Sequence, residues 1–241
     1  IIITTIGYGG LFWIDGITCI FAGILLLNVL HPKKARVLDE IKVINPVSAY
    51  SDKAFWVFLI AMMLFGVVFL QYFSTIPLYY KEVHHLSELE IGLLMGMNGF
   101  LIFLLEMPLV KWLENKTYTK TGLMLIGVVL TALSFMMLNV TTWVGILIVG
   151  MLLMTIGEMI AFPFSNAFAM ERAKKGNQGE YMALYSISFS FAHIFGHTSG
   201  MQLIDKLGYD STWNIVTALA VLSAVFMLIL TRVLKKEKAR T

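Results

Sequence analysis

One carboxyl group, Glu158, stands alone in the apolar stretch MTIGEMIAFPF at residues 154–164. Apolar surroundings disfavour the charged form of a carboxyl group, so such a residue is costly unless it has a task or a partner. A glutamate in this position can take up and release a proton, or it can bind a cationic ligand. It can equally be structural, bonded to a helix backbone or to a basic residue such as Arg172.

The residues around Glu158 form a polar stripe if this stretch is helical. At 100° per residue, Thr155, Ser165 and Asn166 fall on the same helix face as Glu158, within an arc of about 100°. Such a stripe faces water or protein rather than lipid, and Pro163 removes one backbone hydrogen bond beside it. The stretch therefore predicts a helix whose polar face borders a cavity or another helix.

A second carboxyl group lies in LLEMPLVKW, where Glu106 shares a helix face with Gly92, Met95 and Gly99. Small residues allow helices to approach closely. This face therefore favours helix packing, with Glu106 as a local charge partner or a gate near one end of its helix, over direct contact with a ligand.

Two histidines, His193 and His197, are spaced i, i+4 and share one helix face with Ser186 and Ser190. This spacing can hold a metal ion, but HIFGH lacks the glutamate that follows the first histidine of a metalloprotease helix. The sequence therefore predicts no metal site. Because histidine titrates near physiological pH, the face is predicted to line a polar cavity or to make hydrogen bonds between helices.

Smaller polar groups interrupt two other apolar stretches. Gln71 and Ser74 stand together in one of them, and Asn98 stands alone in the other. Each is predicted either to line the same cavity or to hydrogen-bond a neighbouring helix.

The composition places all of these residues in a membrane protein. Of the 241 residues, 58% are hydrophobic and only 14% are charged, and the mean hydropathy is +0.80. Soluble domains carry about 25% charged residues. The single cysteine, Cys19, excludes an internal disulfide and a cysteine-based zinc site.

Seven stretches are long and apolar enough to cross a bilayer, which needs roughly 20 residues per helix. They are residues 11–31, 54–80, 91–113, 119–138, 142–169, 180–204 and 211–233. Residues 1–6 are predicted to end a preceding helix, and Ser51 or Asp52 to cap the second span. The segment 32–53 is predicted to include an amphipathic surface helix. The expected fold class is all-α integral membrane, with about seven transmembrane helices.

Basic residues are distributed unequally between the two sides of this layout. Sixteen of the eighteen Lys and Arg residues fall in segments on one side, and only Lys81 and Lys206 fall on the other. Cytoplasmic segments of membrane proteins carry the excess of Lys and Arg. Segment 32–53 and the C-terminus are therefore predicted to be cytoplasmic.

The first and last spans align without a gap at an offset of 201 residues, Gly7 with Gly208 and Phe12 with Trp213. This alignment predicts a parallel repeat of six helices, an arrangement found in secondary transporters. Residues 54–241 would then be a complete six-helix half with a basic tail. It would follow a cytoplasmic linker at 32–53 and, at 1–31, the last helix of another half.

Three motifs resemble the major facilitator superfamily, and in particular its drug/proton antiporters. LFWIDG at 11–16 is similar to the entry of helix 6, GEMIAFP at 157–163 to a helix 10 motif, and GHTSGMQLIDKLGY at 196–209 to the exit of helix 11. The resemblance covers the whole chain, from the end of helix 5 to helix 12. It implies that the spans beginning at 54, 91, 142 and 180 face a central path.

The resemblance implies a secondary active transporter that works by alternating access, with proton-coupled efflux of amphipathic small molecules as the leading function. The implied proton-coupling candidates are Glu158, Glu106, His193 and His197, and the substrate-path candidates are Gln71, Ser74, Asn98, Thr155, Ser165, Ser186 and Ser190. The implied partners are a small-molecule substrate, protons, the lipid bilayer and the N-terminal half of the same polypeptide, with no cofactor and no nucleic acid. The implied location is the inner membrane of a bacterium.

Other functions fit the same residues. The chain could belong to an uptake carrier for a sugar, a peptide or another metabolite. It could also be a membrane-embedded enzyme or a non-transporting sensor. An enzyme is not expected, because the sequence contains no Ser-His-Asp pattern and no nucleotide-binding loop, and no catalytic residue is assigned.

Overall fold

The computed structural model describes residues 2–29, 47–140 and 143–239, and every regular element within these ranges is helical. In this part of the chain, six helices are long and apolar enough to cross a membrane. They are α1 (Ile2–Val29), α2 (Lys53–Glu82), α3 (Glu88–Glu114), α4 (Lys120–Met137), α5 (Gly145–Ala173) and α6 (Gln178–Lys238). A 3-10 turn, Ala49–Ser51, precedes α2. The predicted all-α membrane fold is confirmed.

The last helix, α6, consists of two membrane crossings joined at Gly208. Its 61 residues would measure about 90 Å if straight, roughly three times the hydrocarbon thickness of a bilayer. At Gly208 the backbone has φ 77° and ψ 176°, a conformation essentially restricted to glycine. Tyr181, near the start of α6, bonds to Asp52, and Glu237, near its end, bonds to Arg172, the ion-pair partner of Asp52. The chain therefore reverses at Gly208, and the six helices give seven crossings.

Side chains at three helix starts explain where those helices begin. Asp52 accepts a hydrogen bond from the backbone N–H three residues later, and Thr119 does the same for α4. Ser87 and Glu90 form a reciprocal capping box at the start of α3. These caps satisfy N–H groups that the first turn of a helix leaves unpaired. The predicted cap at Asp52 is confirmed.

Close packing between α4 and α5 depends on two glycines. A Cβ atom at Gly127 would lie 2.7 Å from the carbonyl oxygen of Gly157, and one at Gly157 would lie 2.8 Å from the carbonyl oxygen of Gly127. The two backbones therefore touch, as they do at small-residue crossings of membrane helices. Helix α3 has few buried residues and packs mainly along α5, which brings Asn98 towards the middle of α5.

Ion pairs concentrate at one end of the helices that follow residue 47. The pairs at this end include Lys120–Glu171, Arg172–Asp52, Arg172–Glu237 and Lys175–Glu237, whereas Lys81–Glu88, at 3.4 Å, lies at the other end. At the other end, Tyr209 donates a hydrogen bond to Glu82 at 2.7 Å, and Asn139 bonds to Asn214 at 2.9 Å. The first end unites the described parts of the segments that the Lys and Arg distribution assigns to the cytoplasm. The alternation of the spans agrees with the sequence prediction, whereas their orientation in the membrane stays a prediction.

Helix α1 belongs to a separate unit of the chain. The sequence predicts that residues 1–6 end an earlier helix, and this prediction is wrong, because α1 continues unbroken from Ile2 to Val29. Gly9 and Gly10 cost about 1 kcal/mol each relative to alanine, which is too little to end a strongly apolar helix. The predicted amphipathic helix within 32–53 and the boundary at residue 31 lie outside the described residues.

Candidate functional site

Glu158 lies half-buried in the middle of α5, where α5 packs against α3. Asn98 on α3, which is only 3% exposed, donates a hydrogen bond from Nδ2 to Oε2 of Glu158 at 3.5 Å. This is the only hydrogen bond of the Glu158 carboxyl group within the described ranges, and it is at the long limit for such a bond. No basic residue in those ranges forms an ion pair with Glu158. The carboxyl group is thus partly removed from water without a cation beside it.

Arg172, the residue that the sequence offers as a structural partner of Glu158, is bound elsewhere. Its guanidinium group donates to both carboxylate oxygens of Asp52, at 2.5 and 2.7 Å, and to Glu237 at 2.8 Å. Arg172 follows Glu158 by fourteen residues on α5, which is about 21 Å along a helix. The predicted alternative of a Glu158–Arg172 bond is therefore wrong.

Asp52 is the buried carboxylate to which Arg172 donates two hydrogen bonds. It also accepts hydrogen bonds from the Tyr181 hydroxyl at 2.9 Å and from the Phe55 backbone N–H at 3.1 Å. Burial alone would raise the pKa of Asp52, but the hydrogen bonds and the charge of Arg172, together with the other donors, hold this pKa below its usual 3.8. Asp52 is consequently an ionised group that joins three helix ends.

The predicted polar stripe of α5 is divided by helix packing. Thr155 is buried and donates to the carbonyl of Met151 at 2.7 Å, whereas Ser165 is buried against α6 and bonds to the Tyr185 hydroxyl at 2.8 Å. Asn166 is exposed. Among these stripe residues, Glu158 is the one bonded to α3. The sequence therefore placed these residues on one helix face but did not reveal which of them contact a neighbouring helix.

Gln71 lies between α2 and α6 and is 1% exposed. Its Nε2 atom donates to the carbonyl of Gly196 at 2.6 Å, and its Oε1 atom accepts from Thr75 at 3.3 Å. A Cβ atom at Gly200 would lie 1.8 Å from that Oε1 atom, so the amide fills the space beside the glycine. Ser74 bonds within its own helix. In this conformation Gln71 joins two helices, which is one of the two roles that the sequence left open.

The predicted histidine face lies on the first segment of α6, residues 178–207. Its members Ser186, Ser190, His193 and His197 are all exposed. Ser190 bonds back to the carbonyl of Ser186 at 3.1 Å. The structure thus places these four residues along one accessible side of the helix, apart from the contacts that bury Gln71.

Glu106 lies half-buried on α3, two turns beyond Asn98. Within the described part of the chain it forms no hydrogen bond and no ion pair. The Glu106 carboxyl group nevertheless acts on Glu158 electrostatically. The two carboxyl groups, on α3 and α5, are therefore close enough for their charges to interact.

An aromatic pocket of about 390 Å³ opens between α2, α5 and the first segment of α6. Its lining residues are Gly66, Phe69, Leu70, Phe73, Phe162, Phe189 and His193. The Phe69 and Phe162 rings meet edge to face with centroids 4.8 Å apart, and Phe162 and Phe189 are 5.7 Å apart. The imidazole of His193 is the one polar side chain in this wall.

Phe162, which lines the pocket, follows Glu158 by one helical turn, about 6 Å along α5. The sequence did not locate this pocket. Its local signals are two i, i+4 pairs, Phe69 with Phe73 and Phe189 with His193, but such aromatic pairs are equally common on surfaces that face lipid. Only the convergence of three helices makes the pocket recognisable.

Comparisons with known proteins identify relatives of this chain. The family model described as Major Facilitator Superfamily matches residues 1–197 and 85–241, and the two matches together cover the whole chain. The chain is 24% identical over 186 residues to a Na(+), Li(+), K(+)/H(+) antiporter of Planococcus maritimus, covering 71% of this chain and 43% of the relative. It is 27% identical over 169 residues to the uncharacterized MFS-type transporter YttB of Bacillus subtilis (strain 168), covering 70% and 42%. The chain thus spans about half the length of the curated relatives it matches. No solved structure matches it.

Proposed function

Because this chain belongs to the major facilitator superfamily, a family of transporters rather than enzymes, we propose that it forms the C-terminal half of a proton-coupled exporter of amphipathic small molecules. In this proposal residues 54–241 are the six-helix half, residues 1–31 supply the last helix of the N-terminal half, and 32–53 are the linker. The linker and the C-terminus face the cytoplasm of a bacterium, a location that the bacterial origin of the relatives supports. The two halves rock about a central site and expose it to each side in turn.

The observation that carries this proposal is the absence of any described cation beside Glu158. A carboxyl group in apolar surroundings favours the neutral form unless a positive charge compensates it. Glu158 can therefore hold a proton while the site is closed and release it when the site opens to water. Asp52 cannot act in this way, because Arg172 already compensates its charge.

The aromatic pocket supports an amphipathic substrate. A volume of about 390 Å³ lies within the usual range for small-ligand sites, about 300–1,000 Å³. An apolar ring fits among Phe69, Phe162 and Phe189, and aromatic faces also attract cationic groups. A positively charged group on the same molecule can reach Glu158, one helical turn away, while His193 offers a hydrogen bond in the pocket wall.

If Glu158 binds both the proton and the substrate, this one carboxyl group couples the transport of protons to the transport of the substrate. Binding of a cationic substrate stabilises the ionised form of Glu158, which drives off its proton, and proton uptake from the other side releases the substrate. Because Glu158 holds either the proton or the charge of the substrate, each is carried only when the other has left. Glu106 and His197 are further proton-coupling candidates, since neither has an ion-pair partner within the described ranges.

The test is proton-driven transport by the full-length protein in proteoliposomes with an imposed pH gradient. We expect Glu158→Gln to retain its folded structure and to lose coupled transport by about 100-fold or more, as when an essential proton-transfer group is removed. Glu114→Gln is the matched control, because it makes the same chemical change at the exposed end of the neighbouring helix α3 and is expected to leave coupled transport unchanged. A Glu158→Gln protein with the normal rate and the same pH dependence would disprove the coupling role, whereas unfolding of this variant would favour a structural role.

Antiport of a monovalent cation against protons is a second candidate function. The Planococcus maritimus relative is named for exchange of Na⁺, Li⁺ and K⁺ against protons, and Glu158 beside the amide of Asn98 offers the oxygen atoms that hard cations prefer. The same proteoliposomes distinguish the two candidates. Proton flux triggered by a lipophilic amine supports export of small molecules, whereas flux triggered only by the inorganic ions supports the second candidate and excludes the first.

A further inference from the structure

A basic pocket opens between the start of α4 and the ends of α5 and α6, with a volume of about 540 Å³. Five basic side chains line it: Lys120, Arg172, Lys175, Lys235 and Lys238. Glu171 is the one carboxylate in its wall. This basic pocket lies at the end of the helices where most of the ion pairs are found. It shares no lining residue with the aromatic pocket and does not include Glu158.

The neighbouring carboxylates do not compensate all of this charge. Three of the five basic residues form the following ion pairs: Lys120 with Glu171, Arg172 with Asp52 and Glu237, and Lys175 with Glu237. Lys235 forms no ion pair within the described residues, although it lines the pocket and is exposed. Lys235 therefore gives the pocket a positive charge that no carboxylate within the described residues pairs with, and this charge favours binding of an anion.

The rest of the wall is suited to a group that is both polar and apolar. Phe168 and Leu234 supply an apolar surface, and the lining hydroxyl groups belong to Thr119, Thr121 and Thr231. Thr119 is also the N-cap of α4, so the positive end of that helix dipole points to the same place. A phospholipid matches this combination at the ends of the membrane helices. Its phosphate suits the cationic side chains, and its acyl chains suit the apolar wall.

We propose that this pocket binds an anionic phospholipid, with its phosphate held by Lys235 and Lys120 and the start of an acyl chain against Phe168 and Leu234. Basic pockets between membrane helices on the cytoplasmic side bind anionic head groups in this way. Inorganic phosphate would share the contacts to the lysines but would gain nothing from the apolar wall. Because α4, α5 and α6 all border the pocket, the bound lipid connects three helix ends. The inference does not depend on which substrate is carried.

The experiment compares an anionic and a zwitterionic lipid that have the same acyl chains and differ in the head group. The full-length protein is purified in a neutral detergent, and its thermal unfolding midpoint is measured with phosphatidylglycerol, with phosphatidylcholine of the same acyl chains, and with inorganic phosphate. Lys235→Gln is compared with Lys236→Gln, a matched control in which the next residue loses the same charge. Lys236 is also exposed but lines a different pocket, beside Asp52 and Lys53.

Phosphatidylglycerol is expected to raise the unfolding midpoint of the unmodified protein and of Lys236→Gln, whereas phosphatidylcholine and phosphate do not. Lys235→Gln should bind phosphatidylglycerol about fivefold more weakly, the effect expected for one basic residue at a membrane surface. Native mass spectrometry of the retained lipid measures the same difference without relying on stability. Equal binding by the two variants would overturn the proposal, and so would an equal response to phosphatidylcholine or to phosphate alone.

Discussion

Asp52 and Glu158 are both withdrawn from bulk water, yet the protein surrounds them in opposite ways. Asp52 receives two hydrogen bonds from Arg172, one from Tyr181 and one from the backbone of α2. Glu158 receives one long hydrogen bond, from Asn98. The number and charge of the donors, more than burial itself, decide whether a carboxyl group is fixed in its ionised form or free to exchange its proton.

The same contrast separates two parts of the structure. The end with the ion pairs is held by charges that compensate one another, and Asp52 connects the start of α2 to the end of α5 and the start of α6. The middle of α5 has apolar neighbours, glycine contacts and one uncompensated carboxyl group. In the function we propose, the first part holds the helices together while the second changes its protonation state.

The strongest test of this contrast is Arg172→Leu. Removing the guanidinium group leaves Asp52 buried and unpaired, and breaking a buried ion pair in this way costs about 3–5 kcal/mol of stability. Thermal unfolding of the full-length protein should show a large loss for Arg172→Leu and little or none for Glu158→Gln.

Lys175→Leu is the control for that comparison. Lys175 pairs with Glu237, but about half of its side chain is exposed, and an exposed pair contributes about 0–1 kcal/mol. If Arg172→Leu were no more destabilising than Lys175→Leu, the cluster around Asp52 would not be the structural element that we describe.

Gly200→Ala tests whether Gln71, like Asp52, is held in place by close contacts with a neighbouring helix. The added methyl group would occupy the position next to Oε1 of Gln71, and overfilling a packed contact of this kind costs about 1–3 kcal/mol. Gly96→Ala on α3 is the matched control, because nothing lies within 4 Å of its Cβ position. A lower unfolding midpoint is expected for the first variant only, and equal midpoints would show that the Gln71 contact is not closely packed.

Acid should produce the smallest of these effects. The pKa of Asp52 is lower in the folded protein than in the unfolded chain, so its contribution to stability is fully present above pH 3.8 and is lost as the pH falls through the folded value. Unfolding midpoints measured from pH 7 down to pH 3 should fall at the acid end in the unmodified protein. Asp52→Asn should be less stable near neutral pH and should lack this part of the decline; parallel curves for the two proteins would contradict the assignment.

The spans and Glu158 were predictable because their signals are local. A run of apolar residues reveals its length directly, and a carboxyl group within such a run is conspicuous whatever it contacts. The cap at Asp52 was equally visible, since it stands immediately before an apolar helix.

The partners were not predictable, because they are distant in the chain. Arg172 is 120 residues from Asp52, and Gly196 is 125 residues from Gln71. From the sequence, Arg172 is a candidate partner of Glu158, which is nearer to it along the chain than Asp52 is. In the fold, Arg172 bonds to Asp52 instead. The aromatic pocket has the same origin, because its phenylalanines come from three helices that only the packing brings together.

The reversal at Gly208 also bears on how the chain can be cut. Proteases and inserted tags need an extended or mobile segment, which surface loops ordinarily supply. Here one helical segment passes into the next through a single residue, and Thr212 bonds back to the carbonyl of Gly208 at 2.7 Å. The final two crossings are thus expected to survive limited proteolysis as one fragment. A cleavage site that divides them would have to be introduced together with a loop that this turn does not contain.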